Sequence, residues 1–161
     1  MNIFVLDKDP FKAAQYMCDK HISKMIIESA QLMCTAFDDG VAPYKRTHYN
    51  HPCAKWARAS RENYIWLFLH AFELNRQYKK RYNKEVNHKS FEICVWCMNN
   101  INKSVLKDME YDFKDPESFV LCMPDHYKVG DVVESYRAYY RFGKPFAKWD
   151  KLGNRPEWMD A

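Results

Sequence analysis

Glycine is scarce in this chain of 161 residues: Gly40, Gly130, Gly143 and Gly153 stand far apart. A phosphate cradle of the P-loop or dinucleotide kind needs clustered glycines, so nucleotide binding by that route finds no support. Long apolar runs are missing too. No stretch reaches the roughly 18 uninterrupted apolar residues of a membrane span, and Met1 to Asp9 lack the basic start and small-residue cleavage site of a signal peptide. These absences predict a soluble, cytoplasmic protein with no membrane partner. Neither sign of charge is in large excess: the net value is +4, which alone does not mark a nucleic-acid binder. The six cysteines do not read as a disulfide framework, which belongs to short secreted chains with weak cores, so reduced thiols are expected.

What is present favours a packed core. Apolar residues make up 47% and aromatics 16%, enough for one compact domain over residues 1–161 without staples. The charges are unevenly spread. Residues 55–89 carry 9 basic and 3 acidic side chains, residues 105–136 carry 3 and 8, and residues 137–161 carry 6 and 3. Two basic regions therefore flank an acidic one, and a polyanion would feel both.

The pattern is helical. Met1–Leu6 reads as a short buried extended segment. Asp9-Pro10 is a helix start, because the carboxylate caps free N–H groups and proline tolerates the first helical position. Three-and-four spacing of Met17, Ile22, Met25, Ile26, Leu32 and Met33 predicts one helix from there to about Phe37. A short turn opens at His51-Pro52. Ser60 caps a long helix to about Tyr82, with Tyr64, Leu67, Phe68, Ala71, Leu74 and Tyr78 on one side. Further helices are expected over Lys89–Asn100 and from Asp131 to Phe142, separated by a loop-rich acidic stretch. The fold class expected is mainly α.

The segment from Cys18 to Glu28 is the most informative. On a helix, His21, Lys24 and Glu28 lie at i, i+3 and i+7 and share a face. A partly desolvated Glu28 held by Lys24 suits a general base or an electrostatic stabiliser; the alternative is a solvated Lys–Glu pair on an exposed face. Metal chemistry is less well supported. Cys18 with His21, and Cys94 with Cys97, are half-pairs on separate helices, whereas structural zinc needs four ligands, so neither metal nor cofactor is expected. The tail alternates cations and rings through Arg137, Tyr140, Lys144, Lys148 and Trp149. Cations neutralise phosphates and rings stack on a flipped base; equally, the rings pack on the core and the cations stay wet. His51, Lys55, Arg58 and Arg61 make a second candidate phosphate-facing stripe, against the alternative of a solvated face.

Asp19-Lys20-His21, with Glu28 seven residues after the histidine on an early helix, resembles the phage pyrimidine-dimer DNA glycosylase family of the endonuclease V type. The likeness extends to the histidine-led segment His51 through Tyr82 and to Arg155-Pro156-Glu157-Trp158, covering about half the chain in short motifs. It implies an all-α domain that binds double-stranded DNA, with Glu28 matching the family's catalytic glutamate and the tail's Arg and aromatic residues near the DNA. The family's nucleophile is the α-amine of a threonine exposed by Met removal. Here Asn2 follows Met1 and hinders that removal, so the resemblance moves the amine to Met1, and α-amines with pKa of about 8 are partly unprotonated at neutrality.

The expected function is thus excision of a damaged or modified base from DNA by an N-glycosylase-like enzyme, with lyase activity if an imine forms. Catalytic candidates are Glu28, His21, Lys24 and Met1. Two alternatives stay open: a non-catalytic module that binds DNA or a host protein, and a glycosidic-bond enzyme for free nucleosides or nucleotides. The likeness fits a viral origin, which would put the protein in host cytoplasm.

Overall fold

Asp9 accepts hydrogen bonds from the N–H groups of Phe11 (2.8 Å) and Lys12 (3.2 Å), so helix α1 (Pro10–Gln15) begins where its cap predicts. The single helix expected from Pro10 to Phe37 is in fact two. α1 ends at Gln15, the chain turns through Tyr16–Cys18, and α2 runs Asp19–Cys34 in the computed structural model, which describes residues 1–161. The break has a tertiary cause. The guanidinium of Arg81 donates to the carbonyls of Gln15 (2.9 Å) and Met17 (2.6 Å) and pairs with Asp19 at 3.1 Å, so carbonyls that would have continued α1 are satisfied from another helix.

The remaining helices follow their caps. α3 (Pro52–Ala57) starts at His51, whose ring accepts from the Cys53 N–H. α4 (Arg61–Arg81) starts at Ser60, α5 (Lys89–Asn99) at His88, and α6 (Val132–Gly143) at Asp131, whose carboxylate accepts from the Glu134 N–H. Residues 104–128 are loop-rich, as the acidic composition suggested, with short 3-10 turns on either side of the loop. No strand forms, and the mainly α class holds. No helix is long and apolar enough to cross a membrane.

α1 and α2 pack on α4, α5 packs on α2 and α4, and α3 sits against α2. The faces that meet are the ones the periodicity marks: Ile22, Met25, Ile26, Leu32 and Met33 of α2 and Tyr64, Leu67, Ala71 and Leu74 of α4 are buried in one core. Tyr136, Tyr140 and Trp149 fill the same core from α6 and the tail. The tail then crosses the α1–α2 corner, where the carbonyl of Lys148 accepts from the Asp19 N–H (2.8 Å).

The N-terminal segment is buried as expected but is not a strand. Phe4 has φ +58°, a left-handed conformation that costs a bulky residue of order 1–3 kcal/mol. Asn2 supports it: its Oδ1 accepts from the N–H groups of Ile3 (2.8 Å) and Phe4 (3.2 Å), and the Phe4 ring stacks on His21 at 4.7 Å. This hook brings residues 1 and 2 against α2.

Candidate active site

Glu28 lies in the second half of α2, half-buried, between exposed Ile27 and buried Ser29. Its Oε2 accepts the backbone N–H of Asn2 at 3.2 Å. Lys24 does not hold the carboxylate. It is exposed and forms no ion pair with Glu28, so the partner expected from i, i+4 spacing is replaced by the N-terminal hook. Met1 is half-buried, and hydrogen bonds link its neighbour Asn2 to Glu28 and to the Cys122 carbonyl, beside the thiol of Cys53, whose N–H His51 caps.

His21 is elsewhere. Two helical turns from Glu28, it is buried between Phe4 and Phe146, with Nδ1 2.6 Å from the Tyr140 hydroxyl. Burial, followed by the charges of Lys144, Lys24 and Lys20, pulls its pKa down to about 4. A neutral, enclosed imidazole positions the core and does not orient Glu28.

His51 caps α3 with Nδ1 3.1 Å from the Cys53 N–H; burial and then the N-terminal ammonium lower its pKa. Beside it, the Cys53 and Cys122 sulfurs are 3.4 Å apart. Their shared hydrogen bond pushes the buried Cys53 thiol up and brings Cys122 down to about 7, which makes Cys122 the readier thiolate of the two. Asn2 joins this group to Glu28, since its Nδ2 donates to the Cys122 carbonyl at 2.7 Å. Asn2 was marked by sequence reasoning only as the residue that keeps Met1 in place, and Cys122 was not marked. Cys53 was not marked either, and nothing local connects His51-Pro52-Cys53 to residue 122.

Several residues expected on DNA are committed inside the protein. Arg61 donates to the carbonyls of Leu106 and Lys107, both at 3.1 Å, and so anchors the acidic loop. Arg137 donates to the Leu6 carbonyl (2.9 Å), pairs with Asp7 (3.2 Å) and lies over the rings of Tyr16 and Trp158. Tyr140 is fully buried, and Trp149 is buried with its indole N–H on the Tyr16 carbonyl (2.9 Å). For these rings the core-packing alternative holds. Lys55 and Lys148 are exposed, and Lys144 is half-buried, donating to the Tyr139 hydroxyl (3.1 Å). Arg58 donates to Thr35 (3.1 Å) and stacks on Tyr49 (3.9 Å), whose other contact is Arg46 (4.2 Å).

Two groups of cations flank α2, among others spread over the surface. Near its start, Lys20, Lys148 and Lys151 line a shallow cleft with Phe146, and Lys20 lies over that ring at 4.6 Å. Near its end is the Arg46–Tyr49–Arg58 stack. Glu28 lies between them along α2.

Residues 1–90 match the family model described as pyrimidine dimer DNA glycosylase, which is more than half of the chain. The chain belongs to this family. No curated protein and no solved structure matches it. Membership in the pyrimidine dimer DNA glycosylase family supports a DNA glycosylase-like function with DNA as partner, in keeping with the resemblance carried by Glu28. The matched region contains Met1, Glu28, His51, Cys53 and Arg58; Cys122 and the basic tail lie beyond it.

Proposed function

We propose that this protein is a DNA N-glycosylase that extrudes a nucleotide from the duplex and releases its base at a centre formed by Glu28 and the Met1 α-amine. The observation that carries the reading is the 3.2 Å hydrogen bond from the Asn2 N–H to Glu28, which sets a carboxylate beside an α-amine within the family-matched region. The exposed lysines near the start of α2 and the half-buried Arg46–Arg58 pair near its end hold the phosphates on either side of the extruded nucleotide.

As the bond between C1′ and the base nitrogen breaks, that bonding pair leaves with the base and positive charge develops on the deoxyribose. The Glu28 carboxylate stabilises that charge. The unprotonated Met1 amine attacks C1′, forming the N–C1′ bond. Opening of the sugar ring at O4′ then gives an imine, the amine losing its protons to Glu28 and onward to O4′ and solvent. A lyase step would follow from the imine. Lys24 is exposed on the same helix and serves as a phosphate contact in this scheme, while His21 supports the fold.

Borohydride trapping on DNA containing an abasic site, with peptide mapping, tests the amine. An adduct on the peptide carrying Met1 is expected. Glu28→Gln should lower base release at least 100-fold with salt-dependent DNA binding retained. Base release unchanged in Glu28→Gln on every damaged or modified DNA tried would sink the proposal and leave a binding module.

A further inference from the structure

His51, Cys53 and Cys122 bring three soft or borderline donors into one place, with ligating atoms all within 4.8 Å of one another. The two sulfurs are 3.4 Å apart. Tetrahedral zinc with bonds of about 2.3 Å to sulfur holds two thiolates about 3.8 Å apart, so the pair needs to open by only a few tenths of an ångström. A disulfide would need the sulfurs to close to about 2.05 Å, a far larger movement.

The backbone that carries the donors is already fixed. Cys122 donates its N–H to the Tyr136 hydroxyl (3.2 Å) and receives Asn2 on its carbonyl (2.7 Å), while Cys53 sits in the first turn of α3. A second close pair serves as an internal comparison. Cys34 and Cys97 are 3.7 Å apart, but both are enclosed in the core and no imidazole joins them. At Cys53 the third donor is present, and half-buried His51 and Cys122 leave a way in from solvent.

We propose that His51, Cys53 and Cys122 form a binding site for a thiophilic divalent metal, zinc by its donor chemistry, with water in the fourth position. Binding releases the two thiol protons to solvent, so a dication with two thiolates and a neutral imidazole is electrically neutral. It also asks something of His51. The metal takes either the Nδ1 lone pair now on the Cys53 N–H or Nε2 after the ring proton moves to Nδ1, and both exchanges release that cap bond. The bound metal would tie α3 to the segment around residue 122 directly beneath Asn2. Cys122 lies outside the family-matched region, whereas His51 and Cys53 lie within it.

The readout is metal binding, independent of catalysis. Full-length protein, reduced and stripped with a chelator, is titrated with cobalt(II). One equivalent should give the strong absorption of tetrahedral cobalt–thiolate, and zinc should bleach it. Cys122→Ser and His51→Gln should each weaken cobalt binding at least tenfold, while Cys34→Ala leaves it unchanged. Because a cysteine variant can fail to fold, the wild-type protein supplies a second measurement: zinc should slow maleimide labelling of Cys53 and Cys122 at least tenfold on peptide mapping. No cobalt–thiolate band, a band undiminished in Cys122→Ser, unprotected thiols, or a Cys53–Cys122 disulfide persisting under reductant would each overturn the proposal.

Discussion

His21 and His70 are imidazoles that folding keeps neutral. His70 is fully buried against the Trp66 ring (5.2 Å, 14°) with neither ring nitrogen bonded, and burial takes its pKa down to about 3; His21 is taken to about 4. In the unfolded chain both return toward 6.5. Below that value the unfolded state binds more protons than the folded one. Stability is therefore intact above pH 6.5 and falls as pH drops toward the folded values, by about 1.4 kcal/mol per pH unit for each histidine. His70→Phe keeps the stack on Trp66 and removes two unbonded polar atoms. It should clearly reduce the loss of urea resistance between pH 6.5 and about 5, above the range where carboxylates titrate, the remainder coming from His21 and from His51 and His88, whose pKa values burial also lowers. An unaltered pH slope in that variant would mean that His70 is not held neutral by the fold.

The corner between α1 and α2 is the element whose geometry the candidate site depends on, because it aims α2 and with it Glu28. Arg81 is the buried post of that corner. Arg81→Met should cost about 3–5 kcal/mol, since it strips the Met17 carbonyl of its donor and leaves Asp19 and the Gln15 carbonyl with only the Lys151 N–H and Asn154, whereas Ser60→Ala removes one cap bond and should cost about 1 kcal/mol. Urea midpoints of the two variants, compared directly, check that ordering. The same contrast explains what the sequence could reveal. Asp9-Pro10, Ser60 and Asp131 cap within three residues, so helix starts were legible. The break after Gln15 was not, because its cause arrives from residue 81. Glu28 was marked as a candidate by the family likeness, while the spacing that grouped it with His21 and Lys24 did not find its neighbours. Its partner was not legible, since a backbone N–H at Asn2 leaves no trace in side-chain pattern, and neither was Cys122, 69 residues from Cys53. Alternating rings and cations look alike whether the rings are buried or exposed, and only the core contacts of Tyr140 and Trp149 decide the matter.

Across the whole molecule, internal commitment divides the cations into two sets. Arg61, Arg81 and Arg137 spend their donors on carbonyls and carboxylates of the fold. Lys20, Lys24, Lys148 and Lys151 are exposed near the start of α2, whereas Arg58 and Arg46, stacked on Tyr49 near its end, are only partly committed, to Thr35 and to the Phe37 carbonyl. The 16 residues of α2 span about 24 Å, or about seven nucleotide steps of 3.4 Å, so phosphates on both sides of a nucleotide at Glu28 fall within reach. Salt dependence separates the two sets. Lys20→Ala and Lys148→Ala should each lower the slope of log affinity against log salt by about 1 and leave the melting temperature alone. Arg61→Ala and Arg137→Ala should lower the melting temperature by several degrees with that slope unchanged, because neither guanidinium is free to displace a counterion. Slopes that fell for Arg61→Ala or Arg137→Ala would put those guanidinium groups on the DNA, and the assignment of the reactive face from the uncommitted cations around α2 would fail.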